Sequence, residues 1–137
     1  MTSDISRLVP HRGRMCWLDG VSRVEPHEIV CSATVRADNP VIRDGRLPAW
    51  ALVELVAQAA AALRGSVASP ERGYLVTVRD ATFGVAECPV GERLVVRARL
   101  VDQRDRYSYL EGEVRRLDGA ELCRVALSVV LDRPTER

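Results

Sequence analysis

The chain has 137 residues, enough for one domain with a substantial buried core. Apolar residues make up 47% and charged residues 28%, and the net charge is +1, an ordinary globular balance without the basic excess that nucleic-acid binding needs. An aromatic content of 4% offers little for base stacking, and the polar start Met-Thr-Ser-Asp-Ile-Ser-Arg has no apolar signal core, so a cytoplasmic protein is expected.

Residues 28–36 alternate, with Ile29, Cys31, Ala33 and Val35 on one face and Glu28, Ser32, Thr34 and Arg36 on the other, which predicts a half-buried strand. His27 follows Pro26 in a predicted surface turn. Residues 37–47 hold Asp38, Asn39, Pro40, Asp44 and Gly45, the composition of a loop. A helix is predicted from Ala49 to Arg64, with Pro48 suited to its first turn and Gly65 to its end. At about 1.5 Å per residue it is a rod of roughly 21–24 Å. Its apolar residues lie on nearly every side, so it is expected to be buried all round. Its apolar run of about fifteen residues is broken by Glu54 and Gln58 and is too short and too polar to enter a bilayer.

A loop is expected at 66–73. Four strand-like segments follow, at 74–86, 93–103, 107–116 and 121–132. In two of them Leu94, Val96, Ala98 and Leu100, and Cys123, Val125, Leu127, Val129 and Leu131, occupy alternate positions. Asp118-Gly119 marks a hairpin turn, and Pro89-Val90-Gly91-Glu92 marks another turn. One apolar helix and a meandering antiparallel sheet predict an α+β domain over residues 1–137, with the sheet wrapped on the helix. Five or six strands cover one side of such a helix well, so a second copy is expected to cover the rest. Cys16, Cys31, Cys88 and Cys123 are scattered and lack metal-site spacing, so reduced core thiols are expected.

Glu54 is the single carboxylate in this helix, and the nearest cations in sequence, Arg46 and Arg64, lie beyond the adjoining turns. An ionised carboxylate in apolar surroundings is costly unless it is paired, hydrogen-bonded or put to work. Burial disfavours its charged form and the positive end of the helix favours it; burial is expected to dominate. Gln58 lies one turn on, on the same face, placed to orient Glu54 or a water. The bland alternative for Glu54 is a structural carboxylate held by backbone. Trp17 and Trp50 are core or interface aromatics or walls of a binding tunnel. Arg12, Arg14, Arg43, Arg46, Arg97 and Arg99 are mostly a solvated face, with a few available to an acidic partner or a phosphate.

Three motifs in order resemble a known family. Leu8-Val-Pro-His-Arg-Gly-Arg-Met-Cys-Trp-Leu-Asp19 resembles the N-terminal Leu-Pro-His-Arg segment of FabZ-type 3-hydroxyacyl-carrier-protein dehydratases. Pro48-Ala-Trp-Ala-Leu-Val-Glu-Leu-Val-Ala-Gln58 resembles their carboxylate-bearing helix. Asp80-Ala-Thr-Phe83 with Pro89-Val-Gly-Glu-Arg-Leu94 resembles their strand and turn. The Pro-Ala-Trp variant is closer to the ApeP-like subunits of aryl polyene pathways.

The resemblance implies a hotdog fold, an antiparallel sheet wrapped on one long central helix, paired into homodimers or heterodimers with an acyl tunnel beside the helix. It implies dehydration of 3-hydroxyacyl groups carried on the phosphopantetheine of an acyl carrier protein, with that carrier as partner and no other cofactor. Glu54 matches the family carboxylate. The Ala49 N–H matches the donor to the thioester carbonyl, and Pro48, Trp50 and Gln58 line the substrate. The family's catalytic His sits in a Gly-His-Phe-Pro-Gly loop that this chain lacks: residues 38–47 contain no His, and Asn39 or Pro40 falls near its place. His11 is the candidate base here, or a loop-bracing residue. Two alternatives follow. One is a half-site subunit that gives Glu54 to a composite site; the other is a thioesterase on the same fold.

Overall fold

The computed structural model describes residues 16–65 and 73–132. Its elements in order are β1 (Leu18–Glu25), β2 (Glu28–Thr34), β3 (Arg46–Pro48), a 3-10 turn (Ala49–Ala51), α1 (Leu52–Gly65), β4 (Gly73–Phe83), β5 (Glu87–Pro89), β6 (Arg93–Arg104), β7 (Tyr107–Arg116) and β8 (Glu121–Asp132). Six strands form one antiparallel sheet in the order β1-β2-β6-β7-β8-β4, and β3 pairs with β5 in a two-stranded ribbon. The long helix packs on the inner face of the large sheet, touching β1, β2, β6, β7, β8 and β4. This is the hotdog arrangement that the alternating strands and the apolar helix lead to.

The inner face is built by the predicted alternation. Leu94, Val96 and Ala98 of β6, Leu110 and Val114 of β7, and Cys123, Val125, Leu127 and Val129 of β8 are buried against Leu52, Leu55, Val56, Ala59 and Leu63 of α1. Gly112 stands where α1 approaches β7 most closely: a Cβ there would lie 2.3 Å from Val56 Cγ1 and 2.8 Å from the Arg97 carbonyl oxygen. The Leu117–Ala120 hairpin closes as predicted. Gly119 takes the left-handed conformation at φ 95°, and the Asp118 carboxylate accepts the Ala120 N–H at 2.9 Å.

The structure departs from the sequence expectations in four places. β1 went unrecognised because register shifts at Leu18/Gly20 and Val21/Arg23 break its period of two. The expected strand 74–86 ends at Phe83; Gly84 passes close to Glu121 and donates its N–H to the Leu122 carbonyl, and β5 then starts anew. The 37–47 segment contributes Arg46 and Leu47 to β3, with an Arg46–Glu87 ion pair at 2.5 Å across the ribbon.

The fourth departure concerns α1, which is not buried all round. From Gln58 to Arg64 every residue is buried, but Trp50, Val53, Glu54 and Ala57 form an exposed or half-buried stripe at i, i+3, i+4, i+7. One curved sheet reaches only part of a helix circumference, and the first turns lie on the side it leaves open.

The four cysteines are thiols, and Cys31, Cys88 and Cys123 are buried. Burial pushes the Cys31 and Cys123 thiols up to about 12 and raises Cys88 as well. The thiolate is the reactive form, so these three are expected to resist alkylation in the native protein. Intact mass after iodoacetamide at pH 8 should show at most one adduct, at Cys16, and four after unfolding. Two or more native adducts would contradict this burial.

Candidate functional site

The site assembles at the start of α1, where the β3–β5 ribbon delivers the chain into the helix. Pro48, at φ −65° and ψ 146°, sets the extended entry that precedes the 3-10 turn. Glu54 follows in the first turn of α1, half-buried in the open stripe. Gln58 is fully buried one turn later. Its Nε2 donates to Glu54 Oε2 at 2.9 Å, and its Oε1 accepts the Trp17 backbone N–H at 2.9 Å. Three groups, from the lead-in to β1 and from two turns of α1, are thus joined in one line. The line holds a carboxylate on the open side of the helix.

Trp17 is 8% exposed, and its side chain belongs to the core. Sequence reasoning weighed its ring and missed its backbone N–H. The anchoring of β1 explains part of the N-terminal motif. Asp19, the last residue of that motif, accepts from Thr34 Oγ1 at 2.7 Å and pairs with the Arg36 guanidinium, tying β1 to the end of β2.

Trp50 is 61% exposed beside the carboxylate stripe, so in this protomer it is a surface aromatic and not a core one. Ala49 is buried, and its N–H donates to the Ala86 carbonyl at 3.0 Å. The expectation that this N–H is available to a substrate carbonyl is therefore corrected. It forms the last rung of the β3–β5 ladder, continuing the Leu47↔Cys88 and Pro48↔Glu87 pairs. Trp50 and Ala51 come next at the helix start, where N–H groups have no carbonyl one turn behind them.

Neither residue near the missing imidazole can replace it. Asn39 closes a turn: its Oδ1 accepts the Val41 N–H at 3.0 Å and its carbonyl accepts the Ile42 N–H at 3.1 Å. His27 sits in the exposed β1–β2 turn and its carbonyl accepts the Leu100 N–H. Trp17 lies at the opposite end of β1, so about eight residues at ~3.3 Å, roughly 26 Å, separate His27 from Gln58's anchor. His11 lies outside the described residues, as do Arg12 and Arg14.

Among the described residues, most of the expected arginine face is paired charges. Arg97 pairs with Glu28, Arg99 with Glu111 at 3.0 Å, and Arg124 with Glu113 at 3.4 Å. Arg97, Arg99, Glu111, Glu113 and Arg124 line a depression of about 200 Å³ on the outer face of the sheet, the side away from α1. Its charges are mutually neutralised, which makes it a solvated ion-pair lattice and a weaker site candidate than the Glu54 stripe. Among the described residues no group of three or more His, Cys, Asp or Glu side chains could hold a metal, and no helix is long and apolar enough to cross a membrane.

Comparison with known proteins follows this geometry. The family described as ApeP-like, ApeP dehydratase, matches residues 3–136. Among solved structures, the chain is similar to the dehydratase heterocomplex ApeI:P from Xenorhabdus doucetiae, at 25% identity and a TM-score of 0.82, covering 96% of this chain and 93% of that one. It is also similar in fold to AziG of S. sahachiroi, at 20% identity and a TM-score of 0.68, covering 85% and 92%. A hypothetical thioesterase from Streptococcus pneumoniae, solved with coenzyme A, shares the fold at 11% identity and a TM-score of 0.66, covering 85% and 87%. No curated protein matches the chain.

Proposed function

Because the chain belongs to the ApeP-like dehydratase family, we propose that it is the Glu54-bearing subunit of a dehydratase acting on 3-hydroxyacyl thioesters carried on an acyl carrier protein. The products are a trans-2-enoyl thioester and water, made in fatty-acid-like or aryl polyene synthesis in the cytoplasm. The observation that carries this reading is a carboxylate held by a buried amide, on a helix stripe that the protomer's own sheet leaves open.

In this reaction a base removes the proton from C2, and Glu54 protonates the departing C3 hydroxyl, which leaves as water while the C2–C3 double bond forms. A donor must hold the thioester oxygen as enolate charge develops. With Ala49 engaged to Ala86, that role passes to the Trp50 N–H. The exposed Trp50 ring and Pro48 flank the acyl group. The chemistry draws on acid, base and hydrogen bonds, with the phosphopantetheine arm as the only prosthetic group.

The base is an imidazole, and there are two sources for it: His11 of this chain, or a second hotdog subunit. The ApeI:P heterocomplex supports the second. So do the edge position of β4, which carries exposed Val78 and Phe83, and the open stripe at Trp50, both suited to a partner's cover. The test is enoyl formation from a 3-hydroxyacyl-carrier-protein, by the chain alone and with a second hotdog subunit. Turnover only in the mixture is expected. In that mixture His11→Ala should cost less than about threefold, whereas a loss of about a hundredfold or more would make His11 the base. Release of free thiol without enoyl product would replace dehydration with thioester hydrolysis.

A further inference from the structure

The chain contains three Asp-Gly pairs, Asp19-Gly20, Asp44-Gly45 and Asp118-Gly119. Glycine has no side chain to shield its nitrogen, so in such a pair the aspartyl carboxyl is open to attack by its own backbone. The fold treats the three differently. The Asp19 carboxylate accepts from Thr34 Oγ1 at 2.7 Å and pairs with Arg36, and Gly20 is buried in β1. The Asp118 carboxylate accepts the Ala120 N–H at 2.9 Å, and the Gly119 N–H donates to the Arg116 carbonyl at 2.9 Å.

Asp44-Gly45 has neither restraint. Both residues are exposed, and among the described residues no group bonds the Asp44 carboxylate or accepts the Gly45 N–H. A Cβ on Gly45 would meet nothing within 4 Å, so the space around it is open. The pair forms a two-residue turn with φ 53° at Asp44 and 73° at Gly45. The Arg43 N–H donates to the Arg46 carbonyl at 2.9 Å, and the Arg46 N–H returns to the Arg43 carbonyl at 3.0 Å. Asp44 thus holds a left-handed conformation that costs an L residue energy, and remaking its main chain relieves that cost.

We propose that Asp44 is a modification site, the place where this chain converts to isoaspartate. The Gly45 nitrogen attacks Asp44 Cγ and a C–N bond forms. The carboxyl hydroxyl and the N–H proton leave as water, which closes a succinimide ring. A second water opens the ring at the Asp44 main-chain carbonyl by breaking its bond to Gly45 N. One water leaves and one enters, and the chain now runs through the former side chain. The product has an extra main-chain carbon between Arg43 and Arg46, so the two closing bonds cannot both be kept. That turn leads directly into β3, and the Gly45 carbonyl holds the Val90 N–H at 3.0 Å. The modification therefore acts on the ribbon that delivers the chain into α1.

The test is to age the intact chain at neutral pH and physiological temperature, digest it, and locate isoaspartate by electron-transfer fragmentation. Isoaspartate should form at least about tenfold faster at Asp44 than at Asp118, where two hydrogen bonds must open first. Equal rates at the two positions would overturn the proposal. So would an unmodified native Asp44 under conditions where the unfolded chain isomerises there. The second measurement is methyl uptake from labelled S-adenosylmethionine with an isoaspartyl methyltransferase as the probe. Asp44→Glu keeps the charge but closes a ring far more slowly, so aged Asp44→Glu should take up at least about tenfold less label than aged wild type. Equal uptake by the two proteins would put the modification elsewhere and overturn the assignment.

Discussion

Glu54→Gln is expected to leave the protein folded and to lower enoyl formation by at least about a hundredfold, the range that loss of a general acid produces. The fold survives because the substituted amide can turn its oxygen toward Gln58 Nε2, now 2.9 Å from Glu54 Oε2, and keep the same hydrogen bond. Glu54 is only half-buried, so the change disturbs little packing. Activity does not survive, because an amide has no proton to give the leaving hydroxyl. The measurement is the initial rate of enoyl formation in the assembled enzyme, with the melting temperature recorded alongside. Retention of full rate would remove Glu54 from the chemistry. It would favour the structural reading, in which the carboxylate only caps the amide of Gln58.

The largest effect on stability is expected at Gly112. Its inner face meets α1 so closely that a Cβ would sit 2.3 Å from Val56 Cγ1 and 2.8 Å from the Arg97 carbonyl oxygen on the neighbouring strand. Gly112→Ala normally gains ~0.4–1 kcal/mol from a stiffer unfolded chain, but here overpacking of about 1–3 kcal/mol opposes it. Net destabilisation is expected, and Gly112→Val should cost more. The double variant Val56→Ala/Gly112→Ala should lose less than the sum of the two single losses, since Cγ1 is gone. Recovery stays partial because the Arg97 carbonyl remains. Urea unfolding of the four proteins gives the coupling energy directly. A Gly112→Ala protein as stable as wild type would mean that α1 does not approach β7 at this point.

Much of the architecture was legible because it is periodic. The stretches 107–116 and 121–132 became β7 and β8 with the predicted ends, and the Asp118-Gly119 turn joins them. The helix was legible from its apolar run between Pro48 and Gly65, and its lone carboxylate by contrast with that run. β1 was not, because its two register shifts put Gly20 and Val21 side by side among buried positions. β3 and β5 were too short, at three residues each, to show any period. The open stripe along α1 was hidden by composition: Trp50, Val53 and Ala57 are as apolar as the residues that the sheet covers.

By itself, then, the sequence determined the helix, the strands with regular alternation, the turns, and the one carboxylate set in an apolar helix. These depend on residues within a few positions of one another. Only the tertiary structure decided that the Ala49 N–H is taken by Ala86, that Trp17 fixes the amide of Gln58, and that Glu54 faces the uncovered side of the helix. Each of those contacts joins segments far apart in the chain, and no local pattern encodes which hydrogen-bonding group a curved sheet will bring within 3 Å of another.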